Sequence, residues 1–358
     1  MKDSFFIKDR QIGNGSSTYF IADIAANHDG SLERAKELIY FAAESGANAA
    51  KFQNFTALKI VSDKGFKDLG GQVSHQAKWK KSVYQVYAEA SIPWEWTKEL
   101  KTCCDSANIH YFSSPYDFGA VDMLEPFVPA YKVGSGDITW LEIIEYMAKK
   151  KKPVMLATGA SSLDDVKRAM DAVLKYHDEI VLMQCNTNYT SSLENFKYIN
   201  LNVLKTFLKL YPQVVLGLSD HTPGHTTVLG AITLGARVIE KHFTDNTSRE
   251  GPDHKFSMDP AAWKEMVLRS RELEQALGSQ EKRIEDNEKE TVVLQRRCIR
   301  AAKDLLAGTV LKHSDLECLR PCPGDGILPY DFSYVVGKKV KRSLQFGMHL
   351  TLDDIKSD

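Results

Sequence analysis

Short apolar runs alternate with longer stretches of helical periodicity through the first 280 residues or so. Tyr19-Phe20-Ile21-Ala22-Asp23-Ile24-Ala25 is the first run. It leads into the turn signal Asn27-His28-Asp29-Gly30, and Ser31 opens a helical pattern that Gly46 ends. Further runs follow at Ala49 to Gln53, His110 to Phe112, Ala130 to Val133, Pro153 to Ala157, Ile180 to Gln184, Val214 to Leu218 and Ala236 to Ile239. Runs this short, mostly apolar and bounded by turn residues, fit strands covered on both faces. Helical stretches are predicted at 138–150, 161–176, 195–210, Thr226 to Gly235 and Pro260 to Leu277. The last has Asp259 as N-cap, Pro260 at its first position and Gly278 just past its end. Eight strand–helix alternations in about 260 residues predict an α/β fold of the (β/α)8 barrel type.

The interval 54–92 breaks this rhythm, being too long for an ordinary connection between a strand and its helix. It holds Lys78-Trp79-Lys80-Lys81 and ends before Pro93-Trp94-Glu95-Trp96, and at a barrel mouth it reads as a lid or substrate wall. Residues 279–290 (SQEKRIEDNEKE) are dense in charge, and the chain then changes character to short strand-like runs and turns. The expected division is a barrel over 1–280, a linker over 281–292 and a small β-rich domain over 293–358. Within that domain Leu306 to Leu311 and Gly347 to Thr351 form a weak repeat, each running into a Ser-Asp or Asp-Asp pair.

Composition changes this picture little. A formal net charge of −1 gives no basic excess that would call for nucleic acid or an anionic membrane. The six cysteines contain no CxxC pair, which suits reduced thiols better than a disulfide framework or a zinc ribbon. The first residues lack the apolar core of a signal peptide, and no stretch approaches 18 apolar residues. A soluble, cytoplasmic protein is expected.

The chemistry concentrates where the apolar runs end. Two consecutive runs each finish in a histidine, His221 in Ser219-Asp220-His221 and His242 in Glu240-Lys241-His242. Parallel neighbours lie about 4.8 Å apart, so residues at equivalent positions can share one metal ion. Alternation puts Glu240 on the same side as His242. Because the C-terminal strand ends carry the chemistry of such barrels, the other polar residues there form one surface: Asp23, Lys51, Gln53, Ser114, Lys132, Ser135, Thr187, Tyr189 and, in the loop after the last strand, Asp253. Two inward lysines are costly to bury unpaired, and with several hydroxyls beside them they suit phosphate and carboxylate oxygens. Two imidazoles leave open positions for water and substrate on a cation; mixed N and O ligation is compatible with Mn, Fe, Co or Zn.

The motifs at these ends are Ala22 to Gly30, KFQ (51–53), SSPYD (113–117), YKVGSGD (131–137), GLSDHT (217–222), EKHFT (240–244) and GPDHKFSMDP (251–260). Together with RPCPGDGILP (320–329), they resemble the sialic acid synthase family over nearly the whole chain. That resemblance implies a barrel followed by an antifreeze-like (SAF) domain, and condensation of phosphoenolpyruvate with an N-acylated mannose-type aldose to a nine-carbon 2-keto-3-deoxy acid and phosphate. It implies that His221 and His242 hold a divalent cation, Mn²⁺ foremost, with Co²⁺, Fe²⁺, Zn²⁺ or Mg²⁺ as alternatives. Lys51, Ser114, Lys132, Ser135, Thr187 and Tyr189 would bind phosphoenolpyruvate; Gln53, Tyr189 and Asp253 would orient the sugar. Glu240, Asp23 and Lys51 would stand at the reacting atoms. It further implies a domain-swapped homodimer in which Arg320 reaches the partner's sugar. The chain departs from the family in reading Ala22-Asp23-Ile24 where the usual residue is glutamate, one methylene longer. It also has Thr190 where proline usually follows the tyrosine. The segments around Pro93 and Ser113 look closer to pseudaminic or legionaminic acid synthases, whose acceptors are diacetamido-trideoxy hexoses. Synthases of eight- or seven-carbon keto-deoxy acids, and a sugar-binding protein without turnover, are the alternatives.

Overall fold

The computed structural model describes residues 4–70, 76, 77 and 79–356; Lys78 of the long interval lies outside them. The chain divides into two compact units, Met1–Gly278 and Ser279–Asp358.

The first unit opens with an antiparallel hairpin of β1 (Ser4–Ile7) and β2 (Arg10–Gly13). Eight parallel strands follow: β3 (Tyr19–Asp23), β4 (Ala49–Asn54), β5 (His110–Pro115), β6 (Tyr131–Val133), β7 (Val154–Ala157), β8 (Ile180–Cys185), β9 (Val215–Asp220) and β10 (Ala236–His242). They form one sheet in the order β5-β4-β3-β10-β9-β8-β7-β6, and β5 packs against β6. This is the expected barrel, with β9 and β10 ending two and three residues past their apolar runs because they carry the polar ends with them.

Alternation along each strand separates two environments. Outward residues such as Phe20, Ala22, Phe52, Tyr131, Leu182 and Ile239 pack under the surrounding helices. Inward residues are apolar at the start of the strands: Tyr19, Ile21, Ala49, Phe112, Ala130, Met155, Val181 and Val238. Phe5, Ile7 and Ile12 of the hairpin join that inner cluster and close the floor of the barrel. Towards the strand ends the inward positions turn polar: Asp23, Lys51, Ser114, Lys132 and Glu240, all buried. Each strand is therefore half core and half site.

The Asp259 carboxylate accepts from Ala262 N, and the helix Pro260–Leu277 runs to Gly278 as expected. The stretch expected as one helix over 195–210 is instead a 3-10 turn, Leu193–Tyr198, and a helix, Val203–Leu210. Asn200, in the left-handed region at φ 50°, interrupts it, a conformation asparagine tolerates better than most residues. The interval 54–92 is not structureless: it contains the helices Ala57–Ile60, Asp63–Asp68 and Val83–Ala90.

In the second unit, the segment expected as linker carries a 3-10 turn, Asp286–Glu288, and an exposed helix, Lys289–Gln295. Then β11 (Cys298–Ala301) pairs antiparallel with β12 (Leu316–Leu319) over a core that includes Ile299, Leu311, Val335, Val340 and Leu350. The weak repeat appears as two equivalent turns. Asp315 accepts from Lys312 N and Asp354 from Thr351 N, each at 2.9 Å. Both carboxylates are buried, Asp315 paired with Lys303 and Asp354 with Arg342.

Candidate active site

The strand register gathers most of the expected residues. Asp23 pairs with Lys51 on β4 and with His242 on β10, Gln53 with Ser114, and Glu240 with Ser219. Lys51 Nζ lies 2.7 Å from Asp23 Oδ2 and 3.8 Å from Glu240 Oε2; Lys132 Nζ lies 3.4 Å from Glu240 Oε1. Asp23 thus reaches its lysine directly despite its shorter side chain. Two buried lysines face two buried carboxylates, so the cluster is neutral as a set.

Electrostatics separates the two acids. Burial pushes the Asp23 carboxyl upward against the pull of Lys51, and the negative Glu240 adds to the rise. Burial alone would also raise Glu240, but Lys132 and Lys51 hold it below the usual range, and it accepts from Ser219 Oγ at 3.2 Å. Glu240 is therefore the anion, and Asp23 the acid closer to protonation.

The two histidines sit side by side, ring centroids 5.4 Å apart. His221 Nδ1 donates to the Asn186 carbonyl at 3.0 Å, which leaves its Nε2 as the lone-pair nitrogen. Burial, then the neighbouring His221 and the lysines, holds His242 far below the usual histidine range, so it is neutral; its buried Nδ1 has no hydrogen-bond partner. Burial would lower His221 as well, but Cys185 and the Asn186 carbonyl beside it raise it, so His242 is the neutral imidazole of the pair, the form of donor a divalent cation takes. Among the described residues no cluster of three or more His, Cys, Asp or Glu forms a complete cation cage. The pair fits a cation whose remaining positions belong to water and substrate oxygen.

Ser114 Oγ is buried without a partner, a free donor at the end of β5. Ser135 Oγ accepts from Gly159 N at 3.0 Å. At Gly159 a Cβ would lie 1.8 Å from Thr187 Oγ1 and 2.9 Å from Ser135 Oγ, so the missing side chain is what lets the two hydroxyls converge. If these hydroxyls bind phosphoenolpyruvate, as the family resemblance implies, Gly159→Ala is expected to weaken that binding about 10- to 100-fold, the scale of lost hydrogen bonds to a charged group; isothermal titration measures it, and unchanged affinity would remove the hydroxyl pair from such a site. Asp253 Oδ2 accepts from Ala26 N at 3.1 Å and lies 4.0 Å from His242 Nδ1. Its loop is pinned by His254, whose ring bridges Thr244 Oγ1 at 2.7 Å and Asp29 Oδ1 at 2.9 Å. Gln53 is half-buried beside Ser114. Arg320 belongs to the second unit, where it is exposed.

Tyr189 lies against His221 at 4.6 Å and Phe256 at 5.2 Å, and Phe256 against His242 at 4.9 Å. Above this aromatic layer is a cavity of about 650 Å³, walled by Tyr189, Phe256, Tyr198 and by Trp79 and Val86 of the long interval. Lys80 and Lys81 on the same wall pair with Glu250 and Glu89. The interval does stand at the barrel mouth, as a wall.

Sequence reasoning passed over Phe256, Gly159 and Asp137. Burial pushes Asp137 up to about 6, against Lys132. It stands in the quoted YKVGSGD motif, where its spacing from Lys132 could have flagged it.

A barrel with paired histidines, inward lysines and a poised carboxylate at its strand ends defines a class of enzyme that handles an anionic substrate. The chain matches the model of the NeuB family over residues 38–282 and that of the SAF domain over residues 296–356. It therefore belongs to the NeuB family, whose sialic and related nonulosonic acid synthases join such a barrel to an SAF domain. It is 35% identical to the N,N'-diacetyllegionaminic acid synthase of Legionella pneumophila, over 96% of each chain. It is 32% identical to the pseudaminic acid synthase of Helicobacter pylori, over 94% of this chain and 97% of that one. A crystal structure of the N-acetylneuraminic acid synthetase of Leptospira borgpetersenii, in complex with citrate, superposes with a TM-score of 0.71 at 25% identity, covering 82% of this chain and 96% of the other. Among the described residues no helix is long and apolar enough to cross a membrane.

Proposed function

We propose that the protein condenses phosphoenolpyruvate with an N-acylated mannose-type aldose, giving a nine-carbon 2-keto-3-deoxy acid and phosphate. The observation that carries this reading is the meeting of Lys51, Lys132, Ser114, Glu240, His221 and His242 at one end of the barrel, with Ser114 Oγ, Glu240 Oε2 and His242 Nδ1 all buried and lacking a hydrogen-bond partner. Buried polar atoms left open in this way mark where a ligand completes the site.

Lys51 and Lys132, with the hydroxyls of Ser114, Ser135 and Thr187, hold the phosphate and carboxylate of phosphoenolpyruvate. Gln53, Tyr189 and Asp253 orient the open-chain sugar so that its aldehyde carbon faces C3 of phosphoenolpyruvate. His221 and His242 would hold a divalent cation, Mn²⁺ foremost, which when bound draws electron density from the aldehyde oxygen. A bond forms between C3 and the aldehyde carbon, water adds at C2, and the C2–O bond to phosphate breaks. Glu240 Oε2, held anionic by the lysines, is placed to take the proton of that water. Asp23 keeps Lys51 aligned and, closer to protonation, gives the proton that the former aldehyde oxygen takes up as it becomes a hydroxyl.

The names of the relatives and the apolar wall formed by Trp79, Val86, Tyr198 and Phe256 favour a diacetamido-trideoxy hexose over N-acetylmannosamine. Exposed Arg320 would reach the sugar of the partner subunit in a homodimer.

Phosphate release from phosphoenolpyruvate and Mn²⁺ is the test, run across the diacetamido-trideoxy hexoses, N-acetylmannosamine and arabinose 5-phosphate. Turnover is expected with an N-acyl hexose and to cease with EDTA. Turnover with the phosphopentose alone would move the protein to the eight-carbon synthases. Binding of phosphoenolpyruvate with no release in any arm would make it a binding protein.

A further inference from the structure

Lys241 and Asp220 are buried beside the two histidines, yet none of the roles above uses them. They are register partners on β10 and β9, and theirs is the last β9–β10 pair: His221 lies beyond the end of the β9 ladder. Both side chains are 1% exposed, and Lys241 Nζ lies 2.5 Å from Asp220 Oδ2. The rest of their hydrogen bonding goes to the turn that carries His221. Lys241 Nζ donates to the Thr222 carbonyl at 2.5 Å. Asp220 accepts from the Thr222 hydroxyl at 2.8 Å, from Thr222 N at 3.3 Å and from the Thr227 hydroxyl at 2.7 Å.

Side chains alternate along a strand, so Lys241 points away from its neighbours Glu240 and His242. Its partner Thr227 stands in the helix Thr226–Thr233, which places the ion pair behind the site, between sheet and helix. Fold stability accounts poorly for it. Desolvating both charges offsets most of their attraction, and an apolar pair of similar volume usually serves a core as well. The geometry accounts for it better. Both residues flanking His221 are bonded to the residue that precedes His242, at the point where backbone pairing between the two strands stops.

We propose that Lys241 and Asp220 are positioning residues: a staple that sets the spacing and facing of His221 and His242, and through them the affinity for a divalent cation. The inference rests on reading the two histidines as cation ligands. With only two protein ligands, a small loss of alignment is not made good by a third, so the partners behind them weigh heavily.

Mn²⁺ binding to the full-length protein, followed by electron paramagnetic resonance, tests it alongside thermal unfolding and phosphoenolpyruvate binding in EDTA. The wild type is expected to bind one Mn²⁺ per chain and His221→Ala to lose it. The double variant Asp220→Leu/Lys241→Met leaves no unpaired charge. It is expected to melt within a few degrees of the wild type and bind phosphoenolpyruvate unchanged in EDTA, while its Mn²⁺ dissociation constant rises about 10- to 100-fold, the usual range for partners behind a metal ligand. Lys241→Arg is expected to retain most of the affinity. If the double variant does not fold, Thr227→Val carries the test, with a smaller fall in the same direction. Unchanged Mn²⁺ affinity in a folded variant overturns the staple and leaves the cation reading standing. No Mn²⁺ binding by the wild type overturns both. An affinity that falls only in step with global unfolding also overturns the staple.

Discussion

His221→Ala lowers the rate of phosphate release about a thousandfold or more, the scale on which a directed electrostatic contact to a reacting oxygen acts. The expectation follows from how this histidine is held. The Asn186 carbonyl takes its Nδ1 proton, so Nε2 faces the site in one tautomer and one orientation. His242 lies 5.4 Å away by ring centroid, and no further His, Cys, Asp or Glu among the described residues completes a cation cage with the pair. One imidazole alone cannot keep the cation that two share. The alanine protein should retain its circular dichroism spectrum and its phosphoenolpyruvate affinity in EDTA, because the lysines are untouched. Undiminished turnover in this variant would end the two-histidine reading.

Lys51→Ala has the second-largest effect, and it falls on stability and activity together. Among the described residues, Lys51 is the one cation within salt-bridge distance of both Asp23, at 2.7 Å, and Glu240, at 3.8 Å. Removing it leaves two buried carboxylates facing each other, with only Lys132 beside Glu240. Breaking a buried pair from one side costs about 3–5 kcal/mol, which urea unfolding will register. Phosphoenolpyruvate binding should be lost as well. The double variant Lys51→Met/Asp23→Leu separates the two effects: it should recover most of the stability, because no uncompensated charge remains, and none of the binding. Recovery of binding in that protein would show that Lys51 serves the fold alone.

The barrel was legible because its strands are short, largely apolar and alternate with helical stretches, and because histidines at the ends of two neighbouring strands are hard to explain otherwise. The lysines followed from alternation alone. The hairpin of β1 and β2 was not legible. Phe5, Ile7 and Ile12 are too few to stand out as a strand pattern, and the turn between them rests on Lys8 at φ 57° rather than on a glycine or asparagine. The helix break at Asn200 needed a backbone angle that no periodicity records. Gly159 looks like one more turn glycine until Thr187 and Ser135, distant in sequence, are found beside its Cα. Asp220 and Lys241 read as the charged edges of strands, normally solvated. Only the register, which sets them opposite each other under a helix, shows them to be buried.

The sealed floor of the barrel has a kinetic consequence. Phe5, Ile7 and Ile12 fill the inner space at the starts of the strands, so among the described residues the opposite mouth is the open side for substrates. The cavity there is walled by Tyr189 and Phe256, and Lys51 and Lys132 are not in its lining, so the anion seats proposed at those two lysines would lie behind that aromatic layer. Two substrates sharing one door must queue. On the proposed function, phosphoenolpyruvate is bound for the inner seats and is expected to enter first, with an acceptor that arrives early blocking the passage. Initial-rate patterns should therefore be sequential and ordered, with the sugar inhibiting at high concentration when phosphoenolpyruvate is scarce.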